Sequence, residues 1–332
     1  MNAPKVQPED YIDFLIASPK VFTATEAGRV QPELPAPPAH DAFTRLLTRL
    51  EPDPETLWEE AKSQIGPHDG VLVIDDSTLD KPYSKSIELV TRHWSGKHHA
   101  VVKGINLVSL LWTDGDSHIP CDYRVYDKTD KLTKNDHFGD MIRMAFVRKL
   151  KPRCVVFDGW YSSLENLKLV RNCGWLWLTR LKSNRLVNLN RGGKRALGDT
   201  PITSTGTDVW LPGYGLVKVF RIDAPDGDTA YWATNDLTMS QMTREQFAEF
   251  SWRIEHYHRG IKQFTGIERC QSRSATAQRN HIGLALRAFL RLEIYCLCHL
   301  TTWFQVKTGI IRDAVRAYIA NPRFRLPMPP TA

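Results

Sequence analysis

Apolar positions change their spacing several times along the chain, and those changes outline its organisation. Before Gly66 they recur at helical intervals. Tyr11-Ile12-Asp13-Phe14-Leu15-Ile16 opens one helix, Phe43, Leu46, Leu47 and Leu50 mark another, and Glu55 to Ile65 carries a further turn or two. Between them Pro32-Glu33-Leu34-Pro35-Ala36-Pro37-Pro38 reads as a stiff extended connector. The cluster Gly66-Pro67-His68-Asp69-Gly70 breaks the pattern, and Val71-Leu72-Val73-Ile74 starts a strand that is expected to end on Asp75-Asp76.

Further strands are predicted at Val101–Trp112 and Ile119–Tyr126, joined by a Thr113-Asp114-Gly115-Asp116 turn, which gives an antiparallel meander. Met141, Met144, Ala145 and Val147 predict a helix over about 137–150. Cys154-Val155-Val156-Phe157 is a short strand ending on Asp158. Leu164, Leu167 and Val170 mark a helix, and Trp175-Leu176-Trp177-Leu178-Thr179 is another strand. Three strands, helix, strand, helix, strand imply an α/β fold, a mixed sheet flanked by helices.

Residues 181–240 interrupt this rhythm with glycines and polar turns. They read as a small inserted β module with strand pieces at Leu186–Leu189, Leu216–Ile222 and Ala230–Thr234. Helix resumes near Thr243 and continues largely to Ala320, and a basic, proline-rich tail at 323–330 is expected to fray. The expected divisions are therefore 1–66, 67–180, 181–240, 241–304 and 305–332.

Composition narrows the function classes. Of 332 residues, 42% are hydrophobic and 24% charged, which is ordinary for a globular chain and too apolar for a disordered one. The greasiest stretch, Ile282 to Phe304, is interrupted by Arg287, Arg291, Glu293 and His299, whereas a membrane span needs about 20 consecutive apolar residues. Met1 to Tyr11 lacks the basic start and apolar run of a signal peptide. The six cysteines are scattered and form no Cys-x-x-Cys, so a reduced, intracellular protein is expected. Cys296-x-Cys298-His299 lacks a partner pair for zinc, and neither phosphate-binding glycine motif occurs, so ATP and dinucleotide chemistry are not expected.

Three acids stand out. Asp76, with Asp75 in reserve, and Asp158 each follow an apolar strand, where α/β proteins commonly place ligand chemistry. Read singly, each is also compatible with a turn or a helix cap. Glycine at 159 implies a tight turn or a close approach. Phe247, Phe250, Ile254, Tyr257 and Ile261 form the core-facing stripe of a helix, and Glu255 stands about 100° from Ile254 with Arg259 and Lys262 on its flank. Carboxylates without a cysteine or histidine set favour Mg²⁺, with Mn²⁺ as substitute. Two such ions about 3.5–4 Å apart can assist an in-line phosphoryl displacement.

Charge supports a polyanion partner. The net charge is +7, and residues 143–195 carry thirteen basic side chains against Asp158 and Glu165 alone. Arg180, Lys182, Arg185, Arg191, Lys194 and Arg195 are the expected phosphate contacts, joined by Arg253, Arg259 and Lys262 near the third acid. Trp160 or Trp210 offers a face for an unpaired base, and Arg92 to His99 reads either as a phosphate contact or as a polar hairpin loop.

These residues resemble a bacterial insertion-sequence transposase of the DDE superfamily. Asp76-Ser77-Thr78-Leu79, Asp158-Gly159-Trp160-Tyr161 and Trp252-Arg253-Ile254-Glu255, with Lys262 seven residues on, are similar to its three motifs. The chain departs from the family at Ala248 and Ser251, where tyrosine and arginine are common; Arg253 or Arg259 is available for the arginine's work. The resemblance covers about 70–300. It implies an RNase H-like core with a β insertion before the catalytic Glu, catalytic Asp76, Asp158, Glu255 and Lys262, and metal held by the three acids.

It further implies cleavage of double-stranded DNA at terminal inverted repeats and 3′-hydroxyl strand transfer into target DNA by cut-and-paste. A homodimer on paired ends and a cytoplasmic, nucleoid-associated location in a bacterium follow from the same likeness. The N-terminal region either contacts DNA or packs on the core. The competing readings are an RNase H-like nuclease without strand transfer, a catalytically inactive DNA-binding derivative, and a carbohydrate hydrolase using paired acids without metal.

Overall fold

The computed structural model describes residues 3–324 except 34, 67, 69, 96–98, 225 and 226. The fraying expected of the tail beyond 324 and part of the Arg92–His99 segment lie outside the described residues.

Four short helices precede the sheet: α1 (Pro8–Ala17), α2 (Ala24–Arg29), α3 (His40–Arg49) and α4 (Glu55–Ala61). They pack on the core. Tyr11 Oη meets His281 Nδ1 at 3.0 Å, and Asn280 Nδ2 donates to the carbonyls of Leu47 and Leu50. Both partners lie on α8 (Ala275–His299). Of the charged residues that interrupt this apolar helix, Arg287 and Arg291 serve the same docking by reaching Glu60, while Glu293 accepts from Trp303 Nε1 at the start of the following helix. No described helix is long and apolar enough to cross a membrane.

The sheet is built around β1 (Val71–Asp80). It pairs antiparallel with β3 (Ala100–Thr113) along its whole length, from Val71–Thr113 to Asp80–Gly104. On its other side it pairs parallel with β5 (Cys154–Phe157), but only from Val71–Cys154 to Ile74–Phe157. Continuous apolar runs in β1 and β5 suit strands buried on both faces. β6 (Trp177–Leu181) continues the parallel part, and β4 (Ile119–Tyr126) pairs antiparallel with β3.

Three expectations change. β1 does not end at Asp75-Asp76, because β3 is long enough to carry it to Asp80. Arg92–Ser95, the start of the segment read either as a phosphate contact or as a polar hairpin loop, belongs to strand β2 (Thr91–Ser95), which pairs with the outer part of β3. β6 also begins two residues late. α6 (Leu164–Asn172) closes through Gly174, whose φ of 76° lets Trp175 N–H reach the Val170 carbonyl at 3.2 Å.

The 181–240 segment holds β7 (Leu186–Asn188), β8 (Lys194–Ala196), β9 (Thr207–Leu211), β10 (Gly215–Asp223) and β11 (Thr229–Thr234). Its last strand pairs antiparallel with β6, so the insertion extends the same sheet. α5 (Lys134–Val147) and α7 (Gln241–Phe264) flank the core, and α9 (Trp303–Ala320) follows α8.

α7 crosses its neighbours closely at Gly260. A Cβ there would fall 2.6 Å from the Phe289 ring and 2.9 Å from that of Trp303, whereas one at Gly309 of α9 would meet nothing within 4 Å. Alanine gains about 1 kcal/mol over glycine in a helix, but overpacking costs about 1–3 kcal/mol. Gly260→Ala is therefore expected to lower the urea midpoint and Gly309→Ala to raise it. Equal shifts of the two would show that α7 does not pack tightly here.

Candidate active site at the sheet edge

The unequal lengths of β1's neighbours create the site. β5 stops at Phe157, opposite Ile74, so beyond that register β1 has lost its parallel partner while still held by β3. Asp75 and Asp76 are the next two residues, and Asp158 is the residue that follows β5. Successive strand side chains point to opposite faces. Asp75 opposes Ser109, whose hydroxyl meets Tyr257 of α7 at 3.3 Å, whereas Asp76 reaches Lys134 of α5. α7 and α5 thus cover opposite faces of the sheet.

Asp75, Asp76, Asp158, Glu255, Lys262 and Arg180 all line one open cleft of about 940 Å³. Asp158 also caps a short turn, its carboxylate 3.5 Å from Trp160 N, and remains exposed. Gly159 is required by close approach: a Cβ would lie 2.8 Å from the Arg180 carbonyl oxygen. Glu255 is exposed on α7 beside buried Ile254, as the helical stripe predicts.

The two acids of β1 have opposite electrostatics. Asp76 Oδ1 accepts from Tyr161 Oη at 2.8 Å, and its Oδ2 from Asn106 Nδ2 and Lys134 Nζ, both at 2.7 Å. Burial acts to raise its pKa, but the Lys134 charge and the three donors outweigh it and leave the carboxyl below its ordinary range. Asp75 is pushed well above that range by burial first, then by the charge of Asp76, with Glu255 and Asp158 adding to it.

Lys134 and Asn106 carry no motif and sequence reasoning missed them, while Tyr161 ends the second motif but was not read as a partner of Asp76. Only the proximity of two helical turns and β3 to Asp76 reveals them. Lys262 is also more constrained than expected: its Nζ donates to the Thr78 carbonyl at 2.8 Å and lies 3.4 Å from Glu268 Oε1. Glu268 in turn accepts from Asp80 N–H at 3.0 Å, and Lys81 Nζ donates to the Glu268 and Cys270 carbonyls. This set of contacts ties the far end of β1 to the exit of α7.

Of the other predicted cations, Lys182, Arg185, Arg191, Lys194 and Arg195 lie on the sheet extension, outside the cleft lining; all are exposed except half-buried Arg185. Arg253 and Arg259 also lie outside that lining. Arg180 stacks 5.0 Å from the Trp232 ring centre. Trp160 lines the cleft and is 63% exposed, and Trp94 and Trp252 join it at 65% and 62%. Trp210, the alternative stacking face, is exposed on β9 away from the cleft.

The donor chemistry fits a hard divalent cation. Five carboxylates line the cleft, and Asp76 already binds a positive charge, the Lys134 ammonium. Among the described residues, however, no three His, Cys, Asp or Glu side chains stand close enough together to hold an ion as they are. Ligation would need side-chain movement.

Opposed pKa shifts predict opposed stability effects in metal-free buffer. Asp76 stabilises above the ordinary carboxylate pKa of about 3.9, and this is lost as pH falls through its lower folded value. Asp75 runs the other way, its cost appearing as pH rises through its raised value. At pH 7 Asp76→Asn should lower stability by about 1–3 kcal/mol, because it misplaces three donors, and Asp75→Asn should raise it. Denaturant midpoints from pH 3 to 8 check both signs.

The profile of the transposase DDE domain matches residues 66–291. Among solved structures, the chain is similar to the piggyBac transposase in its synaptic complex with hairpin DNA, at 12% identity and a TM-score of 0.52. That alignment covers 98% of this chain and 76% of the other. At this identity the likeness concerns the fold, an RNase H-like mixed sheet flanked by helices. The Mos1 strand transfer complex aligns over 53% of this chain and 58% of the other at 12% identity, and its TM-score of 0.20 is too low to carry an argument. No curated protein matches the sequence.

Proposed function

Since this chain belongs to the transposase DDE-domain family, we propose that it cuts DNA at the terminal inverted repeats of a mobile element. The freed 3′-hydroxyls are then joined to target DNA by cut-and-paste, two copies of the chain acting on paired ends. The observation that carries the reading is the shared cleft, in which Asp76, Asp158 and Glu255 meet Arg180, Lys262 and three exposed tryptophans.

Asp76, Asp158 and Glu255 are the residues that would hold divalent ions, Mg²⁺ or Mn²⁺. Asp76 suits this better than Asp75 because ligands must be deprotonated, and its pKa is lowered while that of Asp75 is raised. When bound, such ions supply charge stabilisation to an in-line phosphodiester displacement. The chain's own part is to place the DNA. Arg180 gives a cation at the cleft wall, and Arg185, Arg191, Lys194, Arg195 and Lys182 extend a basic track along the added strands. Arg253 and Arg259 add charge on α7. Trp160, with Trp94 and Trp252, offers flat faces to unpaired bases near the cut.

Lys262 acts from two sides. Its bond to the Thr78 carbonyl registers β1 against α7, and its place in the cleft leaves the ammonium within reach of a phosphate. The N-terminal helices, packed on α8, hold that helix under the core.

The chemistry is tested with labelled end DNA and a target plasmid. Asp158→Asn and Glu255→Gln should each abolish cleavage while DNA affinity stays within about twofold, since what is lost is ion placement rather than phosphate contact. Substantial turnover of both variants in saturating Mg²⁺ would refute the assignment. Joined products separate a transposase from a nuclease with the same core.

The basic track is tested by salt. Each true phosphate contact contributes about 0.9 to the slope of log affinity against log salt on duplex DNA. Neutralising Lys182, Arg191, Lys194 and Arg195 together should flatten that slope by about 2 or more and weaken specific and nonspecific binding alike. An unchanged slope in a folded variant would remove this segment from the DNA path.

A further inference from the structure

Among the described polar side chains that line the cleft, one is buried with a ring nitrogen that has no partner. His258 lines the same cleft as Asp76, Asp158 and Glu255, is only 4% exposed, and its Nε2 has no hydrogen-bond partner among the described residues. Leaving a buried nitrogen unpaired is costly. His258 follows Glu255 by three positions on α7, and residues three apart share a helix face.

Its surroundings keep it neutral. Burial lowers its pKa, the Lys262 charge adds to this, and Asp76 opposes it, with a net fall to about 3. Neutral imidazole is the form that binds metal ions. A carboxylate and an imidazole spaced Glu-x-x-His on one helix deliver an oxygen and a nitrogen to the same centre in carboxylate-bridged helical proteins.

The neighbouring histidines are already engaged. His93, which also lines the cleft, has its Nε2 2.7 Å from Thr91 Oγ1, and His256 stacks on His118 with ring centres 6.1 Å apart.

We propose that His258 is a nitrogen ligand of the divalent-metal centre, paired with Glu255 along one face of α7. The inference rests on the metal-dependent reading given above. It makes the centre a mixed oxygen and nitrogen site. Mg²⁺ keeps to oxygen donors while imidazole suits transition ions, so the site favours Mn²⁺ over Mg²⁺. The side chains must draw together around the ion, and Lys134 must release Asp76 as they do.

The test uses the full chain with Mn²⁺ alone, read by calorimetry and by pulsed electron paramagnetic resonance. The loaded wild type should show a ¹⁴N coupling of imidazole type that persists in His93→Gln and vanishes in His258→Asn. The His258→Asn dissociation constant for Mn²⁺ should rise about tenfold or more, with the affinity for Mg²⁺ changing less. Asp158→Asn serves as the control for the centre itself.

Mn²⁺ binding that Asp158→Asn weakens, but that carries no nitrogen coupling in the wild type, overturns the inference and leaves the metal reading standing. A coupling lost in His93→Gln and retained in His258→Asn overturns it as well. No Mn²⁺ binding by the wild type refutes the metal reading and the inference together. If His258→Asn does not fold, the coupling that survives His93→Gln decides the matter.

Discussion

The site depends on one mismatch in strand length. β1 is ten residues long and is paired on one side throughout by β3, but its parallel partner β5 accompanies it for four residues only. Where β5 ends, the sheet opens on one side of a strand that cannot move, because its other edge keeps its ladder. Asp75 and Asp76 stand just beyond that point, and Asp158 leaves β5 at the same level. A carboxylate in the middle of a fully paired strand would be buried at great cost. Here the opening lets two of them face a cleft while the backbone stays rigid.

That rigidity has an electrostatic counterpart. Several acids in one cleft repel each other, and the structure handles the repulsion unequally. Asp76 receives three donors, one of them an ammonium, and is the charged member of the pair. Asp75 lacks those three donors, and burial together with the charge of Asp76 pushes its pKa well above the ordinary range. The local charge balance therefore depends on Lys134, a residue from a different element.

The third acid is positioned by packing rather than by pairing. α7 lies against the core through Phe247, Ile254, Tyr257 and Ile261, all buried, and Gly260 lets Phe289 and Trp303 come close behind it. Lys262 in its last turn, with Glu268 and Lys81 beyond, binds the exit of α7 to the end of β1. Glu255 and Asp76 are thus carried by two elements fastened together beyond the site. The strands between β6 and α7 continue the same sheet.

Much of this was legible in the residues themselves, and the limits have a physical origin. Apolar runs and helical stripes are local properties, so the strand at Val71, the strand before Asp158 and the face of α7 that sets Glu255 beside Ile254 could be read directly. Charge density along 143–195 and the resemblance to DDE transposases are equally properties of the chain. Strand ends are not local. Whether β1 stopped at Asp75 or ran to Asp80 was decided by the length of β3, and Thr91–Ser95 became a strand because the outer part of β3 offered it an edge. The partners of Asp76 lie 30, 58 and 85 residues away in sequence. No spacing rule connects such positions. Only the folded arrangement of β3, α5 and the turn after Asp158 set them around one carboxylate, because hydrogen bonds and charge act through space and not along the chain.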